Sequence, residues 1–163
     1  MIPLVAAPLL LAAAIRALPP RTAAPGDTVR CVAAARFLRD TQRMVAVLEP
    51  DTLDDWRTKA RLAGCRVTAA GATRLGVGRE AARFYERLRA DGWTRTPDPL
   101  DAPNEASLRF RRDGTDCLFN VYEVPRLFTD AEFAVNDAVP LADGEVRYQA
   151  LVQCVPAMPA AER

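Results

Sequence analysis

The strongest constraint on the fold is the dipeptide Asp113-Gly114, which stands between two segments of alternating apolar and polar residues, 106–112 and 115–123. Asp-Gly is a preferred pair for a type I′ turn, and such a two-residue turn sets the register of the hairpin that it closes. The predicted cross-strand pairs are Phe110 with Cys117, Leu108 with Phe119, and Ala106 with Val121. One face of the hairpin is then apolar, and the other carries Ser107, Arg109, Arg111 and Asn120.

An amphipathic helix is predicted before this hairpin. Apolar residues recur at helical spacing from Val77 to Asp91, and Gly92 follows as a stop. We expect Trp93 to turn back into the core. After the hairpin, the capping pattern from Thr129 to Glu132 indicates a short helical turn, and the alternation from Glu145 to Cys154 indicates another strand.

The first half of the chain is less regular. Prolines in residues 17–26 predict an extended linker. Residues 28–48 fit a broken amphipathic helix, although residues 43–48 alone also fit a strand. Asp51 is a good N-cap for a short helix through Leu62, and Cys65 to Ala70 predict a short strand.

These segments predict one α+β domain over residues 27–156, with a loose tail over residues 157–163. We expect an antiparallel sheet of about three to five strands, with the helix from Val77 to Asp91 packed on its apolar face. A chain of 163 residues, of which 50% are hydrophobic, is ordinary for one globular domain.

The N-terminus has the pattern of a secretory leader. Residues Ile2 to Ile15 form an almost unbroken apolar run that ends at Arg16, shorter than the roughly 20 residues of a membrane-spanning helix. No Lys or Arg precedes the run, which is unusual for a signal peptide and keeps an uncleaved anchor as the alternative. We expect residues 1–26 to be a signal peptide and linker, and the protein to be periplasmic or secreted.

The four cysteines are Cys31, Cys65, Cys117 and Cys154, and none forms a C-x-x-C pair. Because an even number of cysteines in an exported chain favours disulfides, we expect two bridges. Cys117 and Cys154 face the core from strands expected to be neighbours, which pairs them and leaves Cys31 with Cys65. Four cysteines permit three connectivities, so the other two remain open.

Three stretches of the chain resemble one group of proteins. They are Gly64-Cys65-Arg66-Val67-Thr68, Phe84-Tyr85-Glu86-Arg87-Leu88 with Gly92-Trp93, and Ser107-Leu108-Arg109-Phe110 with Cys117-Leu118-Phe119. In these stretches, which lie within roughly the last hundred residues, the chain is similar to small exported proteins of GC-rich proteobacteria. The shared features are structural, namely cysteines, a Gly-Trp pair and a hairpin. The resemblance therefore implies export and a similar fold, and it carries over no catalytic residue.

Composition excludes several kinds of catalytic site. The chain has no histidine, so Ser-His-Asp and Cys-His sites cannot form. The single serine, Ser107, is predicted to lie in mid-strand, far in sequence from the single lysine, Lys59. The segment from Asp113 to Asp116 lacks the closing glutamate of a calcium loop, and we expect no metal or cofactor.

Net charge bears on the partner. The full chain has 22 basic and 21 acidic residues, and without residues 1–26, which hold Arg16 and Arg21, 20 basic residues face 21 acidic ones. This balance predicts no nucleic-acid binding, and membrane contact only through an uncleaved leader.

These observations favour a non-enzymatic module that binds a protein or a small ligand. The predicted binding surface is the outer face of the sheet, with Tyr122, Arg109, Arg111 and Asn120. A first alternative is a hydrolase of glycans or peptides that uses the carboxylates of Asp51, Asp54 or Asp55, although acids at these positions also suit the first turn of a helix. A second alternative is an envelope-anchored structural protein that retains its leader.

Overall fold

The computed structural model describes residues 28–96 and 107–158, so the predicted leader and linker over residues 1–26 lie outside the described residues. The chain begins with a helical segment made of a 3-10 turn over Thr28–Cys31, helix α1 over Val32–Arg36 and a further turn over Phe37–Thr41. The remaining elements are β1 (Val45–Asp55), β2 (Ala60–Thr73), α2 (Val77–Ala90), β3 (Thr94–Arg95), β4 (Ser107–Arg112), β5 (Thr115–Tyr122), α3 (Asp130–Asp137) and β6 (Val146–Pro156).

The described strands form one antiparallel sheet of six strands in the order β1-β2-β6-β5-β4-β3. The predicted α+β class with an antiparallel sheet is confirmed, but the strand count is higher than expected. The additional strand is the two-residue β3, whereas strands over Cys65 to Ala70 and residues 43–48 were expected and form parts of β2 and β1, which are longer than predicted. Strand β6 lies inside the sheet, between β2 and β5.

The hairpin of β4 and β5 has the predicted register, with Phe110 opposite Cys117 and Leu108 opposite Phe119. Asp113 and Gly114 have φ angles of 49° and 71°, the positive values that a type I′ turn requires at both central positions. The predicted partner of Val121, Ala106, lies outside the described residues.

The predicted helix from Asp51 to Leu62 is wrong, because this stretch is the β1–β2 hairpin, in which Leu53 lies opposite Leu62. Apolar residues at this spacing fit a helix as well as two strands joined by a turn. The Asp55 side chain organises that turn by accepting hydrogen bonds from the backbone N–H of Arg57 at 3.3 Å and the hydroxyl of Thr58 at 3.2 Å. An aspartate that bonds its own turn in this way competes with helix formation.

The core lies between the helices and one face of the sheet. Residues 28–48 contain both of the elements considered for them: the chain is helical through Thr41, and a strand begins at Val45. Helix α2 confirms the predicted helix, Trp93 after it is buried as expected, and Gly92 has a φ of 90°. Six of the core aromatic rings are in edge-to-face or stacked contact, namely those of Phe37, Phe84, Tyr85, Trp93, Phe110 and Phe119.

Both predicted disulfides are confirmed. Cys31–Cys65 joins the N-terminal helical segment to β2, and Cys117–Cys154 joins neighbouring positions of β5 and β6. All four side chains are fully buried in the core. Disulfides of this kind fit a protein of an oxidising compartment outside the cytoplasm.

The opposite face of the sheet is also covered, which was not expected. Helix α3 packs there, and its Val135, with Val139 after it, forms a small apolar cluster with Ala70 of β2. The predicted loose tail begins with two bonded residues: the N–H of Ala157 donates to Gly114, and the N–H of Met158 donates to Asp116. The rest of the tail lies outside the described residues.

We expect Gly64→Ala to lower the free energy of unfolding by about 2–3 kcal/mol, because overpacking strains a close contact. A Cβ at Gly64 would lie 2.4 Å from the backbone oxygen of Cys154, which cannot move without disturbing β6. The matched control is Gly78→Ala in helix α2, where a Cβ meets nothing within 4 Å, and which should stabilise the protein by up to about 1 kcal/mol. Urea denaturation of both variants tests this difference, and equal effects would contradict it.

Candidate functional site

The four residues predicted to bind a partner lie on one face of the sheet, but that face is not open. Tyr122 is 8% exposed and Arg109 is 4% exposed, so the expectation of an exposed aromatic at position 122 was wrong. The reason is that elements distant in sequence cover this face, namely α3 at one end and the β1–β2 turn at the other. Their role in binding stays a prediction, and their contacts point to structural roles.

Arg111 belongs to a buried ionic cluster that ties the β1–β2 turn to β5. The carboxylate of Asp116 is fully buried and accepts hydrogen bonds from Arg111 at 2.6 and 3.0 Å and from Arg57 at 3.1 Å. Arg57 also donates to Asp55 at 3.0 Å. Burial alone would raise the pKa of Asp116, but these donors outweigh it and hold the pKa below its usual value. Arg111 and its partners therefore hold the β1–β2 turn against the face of the sheet that is opposite the core.

Asn120 is likewise used inside the protein. Its side-chain oxygen accepts a hydrogen bond from the hydroxyl of Ser107, and its amide nitrogen lies 3.4 Å from the oxygen of Leu151. Because the hydroxyl of Ser107 is engaged and the side chain is buried, it has none of the surroundings of a nucleophile. Lys59 is exposed in the β1–β2 turn.

The three carboxylates of the hydrolase alternative do not share one site. All three lie on β1, where side chains alternate, so Asp54 points to the opposite face from Asp51 and Asp55. Asp54 is largely exposed beside Arg61, whereas Asp55 is buried in the ionic cluster. Two acids that act on one glycosidic bond lie within about 10 Å of each other, whereas Asp51 and Asp55, four residues apart on one face, are separated by about 13 Å along the strand.

The described residues contain no cluster of three or more Cys, Asp or Glu side chains arranged to hold a metal ion. In the same part of the chain, no helix has the length and apolarity needed to cross a membrane.

The most unusual exposed surface is the loop between β5 and α3. Four large apolar side chains lie on it or on the first turns of α3, and all four are exposed. We call them the loop patch: Val124 (59% exposed), Leu127 (43%), Phe128 (73%) and Phe133 (44%). The rings of Phe128 and Phe133 are 6.3 Å apart. Two exposed aromatic rings in contact, with further exposed apolar side chains on the same loop, are typical of interaction sites.

Beneath the loop patch lies a fully buried carboxylate, that of Glu132. One oxygen accepts from the hydroxyl of Tyr122 at 2.8 Å and from the backbone N–H of Arg126 at 2.9 Å. The other accepts from the backbone N–H groups of Leu127 and Phe128, each at 2.8 Å. A carboxylate bonded to three consecutive backbone N–H groups holds the loop in one conformation.

The backbone of Phe128 completes this arrangement. Its φ of 52° is in the left-handed region, which costs a non-glycine residue free energy and is found where the surroundings impose it. Successive N–H groups converge on one anion when right-handed and left-handed residues follow each other. Glu132 thus stabilises the conformation that presents the Phe128 ring to solvent.

The pKa of Glu132 reflects this environment. Burial by itself would raise it, but the hydrogen bonds from the backbone of Arg126, the hydroxyl of Tyr122 and the next two backbone N–H groups lower it below the usual value. Burial raises the pKa of the Tyr122 hydroxyl, and the hydrogen bond from that hydroxyl to Glu132 raises it further. The hydroxyl therefore stays a donor to Glu132.

Sequence reasoning identified only part of this site. The capping pattern was half right: the side chain of Thr129 accepts from the N–H of Glu132 at 3.2 Å, but Glu132 bonds the preceding loop instead of the N–H of Thr129. Leu127 and Phe128 were not singled out. The available signal was a pair of adjacent large apolar residues in a loop directly before a helix N-cap.

No protein-family model matches the chain, and no curated protein or solved structure is significantly similar to it. Its function is therefore inferred from the geometry of the described residues.

We expect Glu132→Gln to lower the free energy of unfolding at neutral pH by about 3 kcal/mol, because an amide N–H₂ would face backbone donors and the charge is lost. The matched control is Glu86→Gln on the exposed side of α2, which should change it by less than about 0.5 kcal/mol. Equal effects of the two substitutions in urea denaturation would contradict the role given to Glu132.

The difference between wild type and Glu132→Gln should depend on pH. Since the folded-state pKa of Glu132 is lowered, its stabilising contribution is complete above the ordinary value of 4.5 and is lost as the pH falls through the lowered value. Denaturation curves from pH 7 to pH 3 test this. The two proteins should converge in acid, and a constant difference would contradict the assignment.

Proposed function

We propose that this protein is an exported, non-enzymatic binding module that acts in the periplasm or outside the cell and docks on a partner protein through the loop patch. The observation that carries the proposal is the buried Glu132 carboxylate, which holds exposed apolar side chains in one conformation. A surface ordered before binding loses less conformational freedom on association, so more of its contact energy remains as affinity.

Two features support export. The disulfides suit an oxidising compartment, and the apolar run of residues 2–15 has the length and composition of a secretory leader.

The composition of the loop patch supports docking on a protein. Binding energy at interfaces concentrates in a few large side chains that fill pockets of the partner, and Phe128, at 73% exposed, is available to do so. The adjacent ring of Phe133 extends the same surface. Tyr122 and Glu132 lie below this surface and hold its backbone in place, as expected of residues that position a contact.

Charge around the loop patch specifies the partner further. The exposed acids of the segment are Glu123, Asp130 and Asp137, against the single exposed base Arg126. The complementary surface is an apolar pocket bordered by Lys or Arg, since opposite potentials face each other across interfaces. The same acids disfavour contact with anionic lipids.

Site-specific photo-crosslinking in an extract of the host cells tests the docking proposal. A benzoylphenylalanine placed at position 128 or 133 should give the same protein adduct, and one placed at position 86 on α2 should not. The adduct should weaken as salt rises, because salt screens the charges at the rim. Excess purified wild-type protein should suppress it, whereas the Phe128→Ser, Phe133→Ser double variant should not.

Other outcomes overturn the docking proposal. Equal adducts at position 86 would mean non-specific contact, and adducts to lipid would mean a membrane surface. Adducts between two copies of this chain would mean self-association. Absence of any adduct at positions 128 and 133 would also contradict the proposal.

Intact-mass analysis of the protein recovered from its host tests export. We expect loss of a segment near residues 1–26, and a mass that rises on alkylation only after reduction, by four alkyl groups for Cys31, Cys65, Cys117 and Cys154. A retained leader with intact disulfides would support the envelope-anchored alternative. Four thiols that alkylate without reduction would contradict export.

A further inference from the structure

A second surface feature lies at the other end of β5 from the loop patch. It is an open cavity of about 450 Å³ between the N-terminal helical segment, Trp93 and the β4–β5 turn. Its lining residues are Val29, Arg30, Val32, Ala33, Arg36, Trp93, Arg112, Asp113 and Thr115. Strand β5 has eight residues, so this cavity and the loop patch are separated by about 23 Å along the strand.

The cavity wall has an excess of positive charge. Arg30, Arg36 and Arg112 line it, against the single acid Asp113. Arg30 and Arg36 are exposed, and neither forms an ion pair or a side-chain hydrogen bond within the described part of the chain, so their guanidinium groups are available to a ligand. A guanidinium binds carboxylate and phosphate oxygens through paired hydrogen bonds.

Arg112 has a different role, because it is already fixed. Its guanidinium donates to the carboxylate of Asp91 at 2.8 Å and to the backbone oxygen of Asp91 at 2.9 Å, and it lies 5.8 Å from the centre of the Trp93 ring. These contacts hold one wall of the cavity in place, so a ligand meets a preformed surface there.

The same cavity has an apolar part. Val29 and Val32 are 68% and 44% exposed although they are large aliphatic residues, and Trp93 lies beside them on the wall. Apolar side chains next to unpaired guanidinium groups match a ligand with both kinds of group.

A smaller adjoining cavity of about 200 Å³ limits the charge of that ligand. It shares Ala33, Arg36 and Arg112 with the larger one, and it adds the carboxylates of Asp40 and Asp91. A second anionic group placed there would meet like charges. The favoured position for a single anionic head is therefore inside the larger cavity, at Arg30 and at the part of Arg36 that faces that cavity.

We propose that this cavity binds an amphipathic anion, with a carboxylate or phosphate head at Arg30 and Arg36 and a hydrocarbon body against Val29, Val32 and Trp93. A volume of about 450 Å³ is within the range of small-ligand sites. The site is independent of the loop patch, and neither requires the other.

Fluorescence of Trp93 in a Trp56→Phe variant tests the proposal, because that variant leaves one tryptophan, at the cavity. The probes are octyl phosphate and octanoate below their micelle concentrations, with inorganic phosphate, octanol and octylammonium as comparisons. Octyl phosphate and octanoate should each change the Trp93 emission, and the change should saturate as their concentration rises. If only one of them binds, the result identifies the head group that the cavity accepts. The comparisons should bind at least about tenfold more weakly, because each lacks one of the two matching groups.

Charge-removing variants locate the site. The Arg30→Gln, Arg36→Gln pair should weaken octyl anion binding by about tenfold, as expected for two partly exposed charge contacts. The matched control, Arg43→Gln with Arg83→Gln, removes the same charge from exposed positions elsewhere and should leave the affinity unchanged. Circular dichroism checks that all variants fold. Equal losses in the two pairs, equal binding of octylammonium, or no saturable binding of either octyl anion would overturn the proposal.

Discussion

The structure depends on how β6 is held between its two neighbours. Cys154 lies opposite Cys65 of β2 on one side and opposite Cys117 of β5 on the other, and it is covalently bonded to Cys117. Gly64 lets β2 approach β6 closely at the same level, because no Cβ intervenes. Since a shift of one residue would turn every side chain to the opposite face, this covalent bond and close contact fix which residues enter the core.

Strand β5 also connects the arginine-lined cavity with the loop patch. Its first residue, Thr115, lies on the wall of the arginine-lined cavity, and its last residue, Tyr122, donates to the carboxylate under the loop patch. One strand therefore positions parts of both sites, at opposite ends. Three residues of the predicted binding surface bond groups inside the protein: Tyr122 bonds Glu132, Arg111 bonds Asp116, and Asn120 bonds Ser107.

The predictable features were those with local causes. The Asp113-Gly114 turn, the periodicity of α2 and the inward position of Cys117 and Cys154 follow from nearest neighbours, and the structure confirms them. The β1–β2 hairpin was missed because Leu53 and its neighbours fit a helical spacing equally well. The covering of the sheet face opposite the core could not be predicted, because Arg57 and α3 reach that face from distant parts of the chain. The capping pattern predicts that Glu132 accepts from the N–H of Thr129. It accepts instead from the three preceding N–H groups, which the left-handed backbone of Phe128 helps to bring together, and no local sequence pattern specifies that conformation.

The edges of the described sheet have a consequence for how this protein coexists with other chains. One edge, β1, contains Pro50, which has no N–H to offer, and the other, β3, has two residues. Exposed strand edges invite pairing with strands of other molecules, and proline and short edge strands are known deterrents. A strand of another molecule that added to this sheet would thus meet an interruption at Pro50 on one edge and only two residues of strand on the other.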